Sequence, residues 1–161
     1  MVDANGTPSD LTLTIDSPFN TAGNGNTNGT TSPGGGAAAY PSTATRDSLF
    51  GNTATFSGQG NRTPTMTIGG LDPSMRYKFR YFASRTGTPI KNRTTTYTLT
   101  GAAVDIQSLN AQDNVSTVAE SDWVQPKSDG TVELALTPHV NNNTDEEFTY
   151  LGVLEIRVSA P

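Results

Sequence analysis

Leu11, Leu13 and Ile15 alternate with Thr12 and Thr14 in "LTLTI", the period of a half-buried strand. Comparable runs follow at "TMTI" (65–68), "YKFRYFAS" (77–84), "TTTYTLT" (94–100), "VDIQSL" (104–109), "STVAESDWV" (116–124), "TVELALT" (131–137) and "YLGVLEIRV" (150–158). Within 77–84, Tyr77, Phe79 and Tyr81 share one face and Lys78, Arg80 and Phe82 the other. The first face reads as core, and the second as solvated or paired with acidic residues of a neighbouring strand. Turn chemistry separates the runs: "GGLDPS", "KSDG" and "NNNTDEE". Eight strands with almost no helix signal predict an all-β fold, an antiparallel β-sandwich of jelly-roll-like form.

The span 17–48 breaks this rhythm, because connections in compact domains usually run to ~4 to 6 residues and longer ones are functional or disordered. Its first half, "NTAGNGNTNGTTSPGGGAAA", has the composition of a mobile linker. The stretch that closes it, "YPSTATRDSLFGN" (40–52), carries Tyr40, Leu49, Phe50 and the adjacent pair Arg46 and Asp47, which a linker does not need. The favoured expectation is a clasp. Asp47 pairs with an arginine of "SRTGTPIKNRTT" (84–95) while Leu49 and Phe50 plug the core beneath, so that Asp47→Ala strands a partly buried arginine and lowers the melting temperature.

At 161 residues the chain is about one domain long, and residues 1–161 are taken as a single β-sandwich domain with that long loop inserted. Charged residues make up 16% against a usual ~25%, and 16 Gly and 10 Pro punctuate the chain, which again favours strands and turns. The absence of Cys excludes a disulfide framework, a thiol nucleophile and thiolate metal sites. No apolar run is long enough to cross a membrane as a helix, and no basic start leads into an apolar stretch. Neither a membrane anchor nor a signal peptide is expected, and Met1 reads as an added start on a domain excised from a longer protein.

The net charge of −5 argues against nucleic acid as a partner, but it is unevenly spread. Residues 46–93 hold eight basic residues against Asp47 and Asp72, a balance of +6, and the flanks carry two basic and 13 acidic residues, a balance of −11. Two consequences stay open: basic and acidic strands pair across the sheet, or the middle of the chain builds an electropositive groove that draws an anionic glycan.

Catalytic chemistry finds little support. A Ser-His-acid system needs an imidazole, and the only one, His139, sits in the polar turn "LTPHVNNN". Acidic residues cluster in turns such as "DEE" (145–147), where solvated charge accounts for them better than a glycosidase pair. No enzyme is expected. Structural calcium is the one cofactor suggested, because hard cations take oxygens from Asp, Glu, Asn and loop carbonyls. Asp3, Asn5 and Asp10 form one candidate ligand set, and Asn141, Asn143, Asp145 and Glu147 another, although neither follows the twelve-residue EF-hand spacing.

A sugar site places an aromatic face against a pyranose and rings it with planar polar groups. Tyr40 and Trp123 are the aromatic candidates, with tethering of the loop and packing at the sandwich rim as their respective structural alternatives. Arg46, Arg85, Asn92 and Arg93 are the polar ones. An arginine fork holds a carboxylate or sulfate bidentately, and these same forks would equally serve to hold Asp47.

Five fragments, "YPSTATRDSLFGN", "GLDPSMRYKFRYFASR", "NRTTTYTLTGA", "DGTVELALTP" and "FTYLGVLEIRV", together resemble a bacterial accessory domain that accompanies esterase-like, glycoside-hydrolase and polysaccharide-lyase modules in secreted proteins. The likeness runs from about residue 40 to 158 and departs at the start, where only "VDANGTPSD" precedes the first strand. "GLDPSMRY" is also similar to the Leu-x-Pro-x-x-x-Tyr corner of fibronectin type III domains. The resemblance implies a jelly-roll, carbohydrate-binding-module-like role without catalysis, outside the cell or at its surface, with a polysaccharide and the catalytic module of the same polypeptide as partners. The alternative is a structural or adhesive spacer of fibronectin type III or adhesin kind.

Overall fold

The computed structural model describes residues 5–87 and 89–159. Among them lie ten strands, all paired antiparallel in three sheets. In chain order these are β1 (Thr12–Ser17), β2 (Leu49–Gly51), β3 (Thr65–Gly69), β4 (Tyr77–Phe82), β5 (Thr94–Thr100), β6 (Val104–Asn110), β7 (Ala119–Glu120), β8 (Val132–Pro138), β9 (Thr149–Leu151) and β10 (Val153–Val158). A five-stranded sheet runs β1-β3-β8-β5-β6, a three-stranded sheet β10-β4-β7, and β2 pairs with β9 alone. No described helix is long and apolar enough to cross a membrane.

The two larger sheets form a sandwich because each turns one alternating set of side chains inward. Met66, Ile68, Tyr97, Leu99, Val132, Leu134 and Leu136 from the five-stranded sheet bury against Tyr77, Phe79 and Tyr81 of β4. Tyr81 and Tyr97 stack across the interface with ring centroids 4.5 Å apart and planes nearly parallel. Burial drives this packing at roughly 25 cal/mol per Å² of apolar surface. At the corner before β4, the Asp72 amide donates to the Tyr77 hydroxyl at 2.9 Å, so the local "LDPSMRY" corner closes.

The predicted run 150–158 is two strands rather than one, serving different sheets. Thr149–Leu151 joins β2, and Val153–Val158 joins β4. The break is at Gly152, where a Cβ would stand 2.9 Å from the Asp47 carbonyl and 3.2 Å from that of Phe82. Only a glycine lets those backbones approach so closely. The predicted 116–124 strand shrinks to Ala119–Glu120: between the pairs Glu120–Arg80 and Val124–Tyr77 it carries one more residue than β4, and the ladder breaks there.

The outer face of β4 pairs with acids, as one of the two expectations had it. Lys78 Nζ reaches Glu120 at 2.8 Å, and Arg80 contacts both Glu120 (3.1 Å) and Glu155 (2.9 Å).

The long loop is not a linker. Ala37, Asn20, Asn26 and Thr30 are buried in it, and its polar groups bond to distant backbone. Asn20 N–H donates to the Phe50 carbonyl, Thr30 N–H to Ser84 Oγ, Gly34 N–H to the Val115 carbonyl, and Thr45 Oγ1 to the Thr30 carbonyl. Gly29 lies so near the turn Ser42–Arg46 (α1) that a Cβ there would be 2.4 Å from the Thr45 carbonyl.

The expected clasp also has different members. Asp47 takes a bidentate contact from its neighbour Arg46, at 2.8 and 3.2 Å, and both side chains are about half exposed. It does not hold an arginine of 84–95, because the short turn of α1 presents the two adjacent side chains to each other and to solvent. Phe50 is buried as expected, whereas Leu49 stays 45% exposed. The residue that does tie the loop to the sandwich is Tyr40. Its hydroxyl donates to Glu155 Oε2 at 2.6 Å, its ring lies 6.1 Å from that of Phe82, and the Arg80 guanidinium stands 5.9 Å from the ring.

Burial works against ionisation of Glu155, but hydrogen bonds from Tyr40, Arg157 and Arg80 outweigh it and hold the carboxyl below its ordinary range. A depressed folded pKa contributes stability that is present above the unfolded value of ~4.3 and is lost as pH falls through the folded value. Glu155→Gln is therefore expected to lower the melting temperature at neutral pH and to flatten its decline below about pH 4.3, where the wild type loses this contribution. Asp47→Ala is expected to leave the melting temperature unchanged. Thermal melts of both variants across acid and neutral pH check the pair, and equal effects would refute this assignment of the clasp.

Candidate functional site

At one end of the sandwich, where β4 leaves its sheet and β5 begins, the chain from Ala83 to Arg93 makes a long excursion. Ala111, fully buried just beyond β6, bonds to both ends of it. Its carbonyl accepts the Arg85 amide at 2.8 Å, and its own amide donates to the Arg93 carbonyl at 3.4 Å. Two arginines separated in sequence are thereby held by the backbone of one residue.

Beside them the β2–β9 pair carries a second apolar cluster. Phe50 and Tyr150 face each other across that pair, and Phe56 and Phe148 pack against them with partial exposure. The rings meet largely edge to face, with centroids 5.0 Å apart for Phe56 and Phe148 and 5.7 Å for Phe50 and Phe148.

The long loop supplies the opposite wall. Asn26 is buried and satisfied on all sides: its backbone exchanges two 2.8 Å bonds with Ser48, its Nδ2 donates to Ser48 Oγ and the Ser84 carbonyl, and its Oδ1 accepts the Asn28 amide. Thr86 donates twice to the Asn28 carbonyl, tying the loop to the arginine-bearing segment.

Between these walls lies a cleft of about 350 Å³. Its described lining combines the glycines and amides of 23–28, the three phenylalanines, Tyr150, Arg85 and Arg93, and contains no carboxylate. Arg93 is 7% exposed, donates from Nε to Gln112 Oε1 at 2.9 Å and from Nη1 to the Tyr150 hydroxyl at 3.0 Å, and lies 5.9 Å from the Phe148 ring. Arg85 is more open and donates to its neighbouring Thr86 carbonyl at 3.1 Å. Burial raises the Tyr150 phenol above its ordinary pKa, and the charges of Arg93 and Arg85 beside it pull part of the way back. The phenol is neutral at pH 7. With its oxygen accepting from Arg93, its O–H is available to a ligand.

Of the six expected ligand-binding residues the cleft gathers Arg85 and Arg93 only. Tyr40 is committed to Glu155, and Arg46 to Asp47. Asn92 turns inward on its own chain, its Oδ1 accepting from the Thr94 amide and hydroxyl. Trp123 sits at the sandwich rim, 43% exposed, with Lys78 Nζ 5.4 Å from its ring.

Of the expected calcium ligands, those of the second segment bond to protein groups. Among the described residues no three acidic, His or Cys side chains group around a point. Asn143 Oδ1 accepts the Asn92 amide, Asp145 pairs with Lys91, Glu147 accepts from Thr53, and Asn141 donates its amide to His139 Nδ1. Asn5 and Asp10 lie on the exposed approach to β1, and Asp3 lies outside the described residues. Phe50, Phe56, Phe148 and Tyr150 were not foreseen as site residues; the closely spaced aromatics of "FTYL" were the available signal.

No family model, curated protein or solved structure matches the chain.

Arg93 and Arg85 should differ in stability as they differ in burial. Arg93→Gln removes charged hydrogen bonds to Gln112 and Tyr150 and is expected to cost on the order of 2 kcal/mol. Arg85→Gln, at a more open position, is expected to cost less than ~1 kcal/mol. Denaturant melts of the two variants measure the difference, and equal losses would refute the separation of roles.

Proposed function

We propose that this chain is a non-catalytic carbohydrate-binding module of a secreted, polysaccharide-active bacterial enzyme, which it tethers to its polysaccharide. The observation that carries this reading is the composition of the cleft: partly exposed phenylalanine faces next to amide, phenol and guanidinium donors. Sugars present both C–H faces and dense hydroxyls, and they need that pairing of apolar and planar polar groups. Binding without turnover is supported by the same lining. It offers no carboxylate pair and no imidazole among its described residues, and His139 spends its Nδ1 on the Asn141 amide in a turn elsewhere. The catalytic module on the same polypeptide and an extracellular or cell-surface location belong to this proposal.

A structural spacer is the second reading, and the closed Leu71–Tyr77 corner, similar to that of fibronectin type III domains, is what favours it. Calorimetry of the chain against plant, algal and microbial polysaccharides separates the two. The binding-module reading expects at least one to bind, and expects Phe148→Ala to weaken that binding ~10-fold by removing a stacking face. Failure of every polysaccharide to bind would leave the spacer.

A further inference from the structure

Within that binding-module reading, we infer that the cleft selects an acidic sugar, a pyranose carrying a carboxylate or sulfate, and that Arg85 reads the charge. The charge balance of the cleft is the first ground. Four of the eight basic side chains of the 46–93 segment pair with an acid on the surface: Arg46 with Asp47, Lys78 and Arg80 with Glu120, Arg80 also with Glu155, and Lys91 with Asp145. Arg85 instead donates to a neutral carbonyl, and Arg93 stands beside it in the same lining. Two guanidiniums thus face a cleft whose described lining holds no carboxylate.

The second ground is the division of labour between them. Arg93 is buried and oriented by Gln112 and Tyr150, so it acts as a positioning residue and a fixed positive charge behind the phenol. Arg85 is the more open of the two. A guanidinium carries five N–H donors, and the bonds of Arg85 to the Thr86 carbonyl and the Tyr150 phenol leave donors able to take an anion. The Tyr150 O–H and that guanidinium belong to the same lining as the Phe148 ring, where a sugar face would rest.

The third ground is size. At about 350 Å³ the cleft is close to the lower limit of ~300 to 1,000 Å³ typical of ligand sites, which suits one or two sugar rings rather than a long stretch of chain. Low local dielectric strengthens such a charge-assisted contact, and ionic strength screens it less than an open surface pair.

The test uses short oligosaccharides in matched pairs: glucuronate with glucose, galacturonate with galactose, mannuronate with mannose, and sulfated with unsulfated galactose. The expected result is that at least one acidic member binds ~10-fold or more tightly than its neutral partner, the difference expected of one charge-assisted fork. Whether that member is a uronate or a sulfate ester identifies the anion. Arg85→Gln should erase the preference by lowering affinity for the acidic member more than for its neutral partner, and Arg85→Lys, which keeps charge but loses the fork, should retain only part of it. Equal affinity for neutral and acidic partners, with Arg85→Gln silent in a variant that melts like the wild type, would overturn the inference and leave the binding-module reading standing. If no member of any pair binds, the inference falls, and the polysaccharide titrations decide the binding-module reading.

Discussion

The Asn26 side chain is the constraint on which the cleft depends. A side-chain amide in a loop usually faces water, but this one is buried and spends its donor on the Ser84 carbonyl and Ser48 Oγ while its oxygen caps the Asn28 amide. It stands in for a strand partner at the point where β4 has left its sheet and the backbone at Ser84 needs an acceptor satisfied. Together with the Asn26–Ser48 backbone bridge and the Thr86 bonds to Asn28, it fixes the segment that forms the second wall of the cleft. The same device recurs along the loop. Asn20 bonds to Asn52 and Phe56, and Asn114 bonds to Ala83 and Thr117, so buried amides in place of extra strands close this end of the sandwich.

This explains why a loop with the composition of a linker is built into the domain. Asn, Thr and Ser can mimic backbone hydrogen bonds as readily as they can be solvated, and composition alone does not distinguish the two outcomes. What decides is the partner, and here the partners lie far away in sequence: Thr30 on Ser84, Gly34 on Val115, Tyr40 on Glu155. The closing contact to Glu155 gains from low exposure and from the cations around it, which is why Tyr40 tethers the loop and the half-exposed Arg46–Asp47 pair does not.

The sandwich was legible wherever period two governs. The β3, β4, β5, β6 and β8 strands lie where alternation puts them, and the inward set Tyr77, Phe79 and Tyr81 is the core of β4. Legibility failed where tertiary approach overrides local pattern. "YLGVLEIRV" reads as one continuous strand-forming run, yet the Asp47 and Phe82 carbonyls crowd Gly152, where its halves part to different sheets. Half of the candidate site was visible, because Arg85 and Arg93 stand out in a polar segment. The other half was hidden, because Phe50, Phe56, Phe148 and Tyr150 look like ordinary core residues until the β2–β9 pair displaces them from the main core into a cluster of their own. Trp123, whose polar neighbours suggest a platform, lies outside this cleft with Lys78 Nζ 5.4 Å from its ring.

The central claim is that the ligand rests between the loop and the aromatic cluster, and amide shift mapping tests it most directly. On titrating a ¹⁵N-labelled sample with the tightest-binding oligosaccharide, the account predicts the first and largest changes at Gly23, Gly25, Thr27 and Asn28, with Arg85 and Phe148 moving in step across the cleft. Changes centred on Trp123 and Lys78 at the sandwich rim, with 23–28 unmoved, would contradict it.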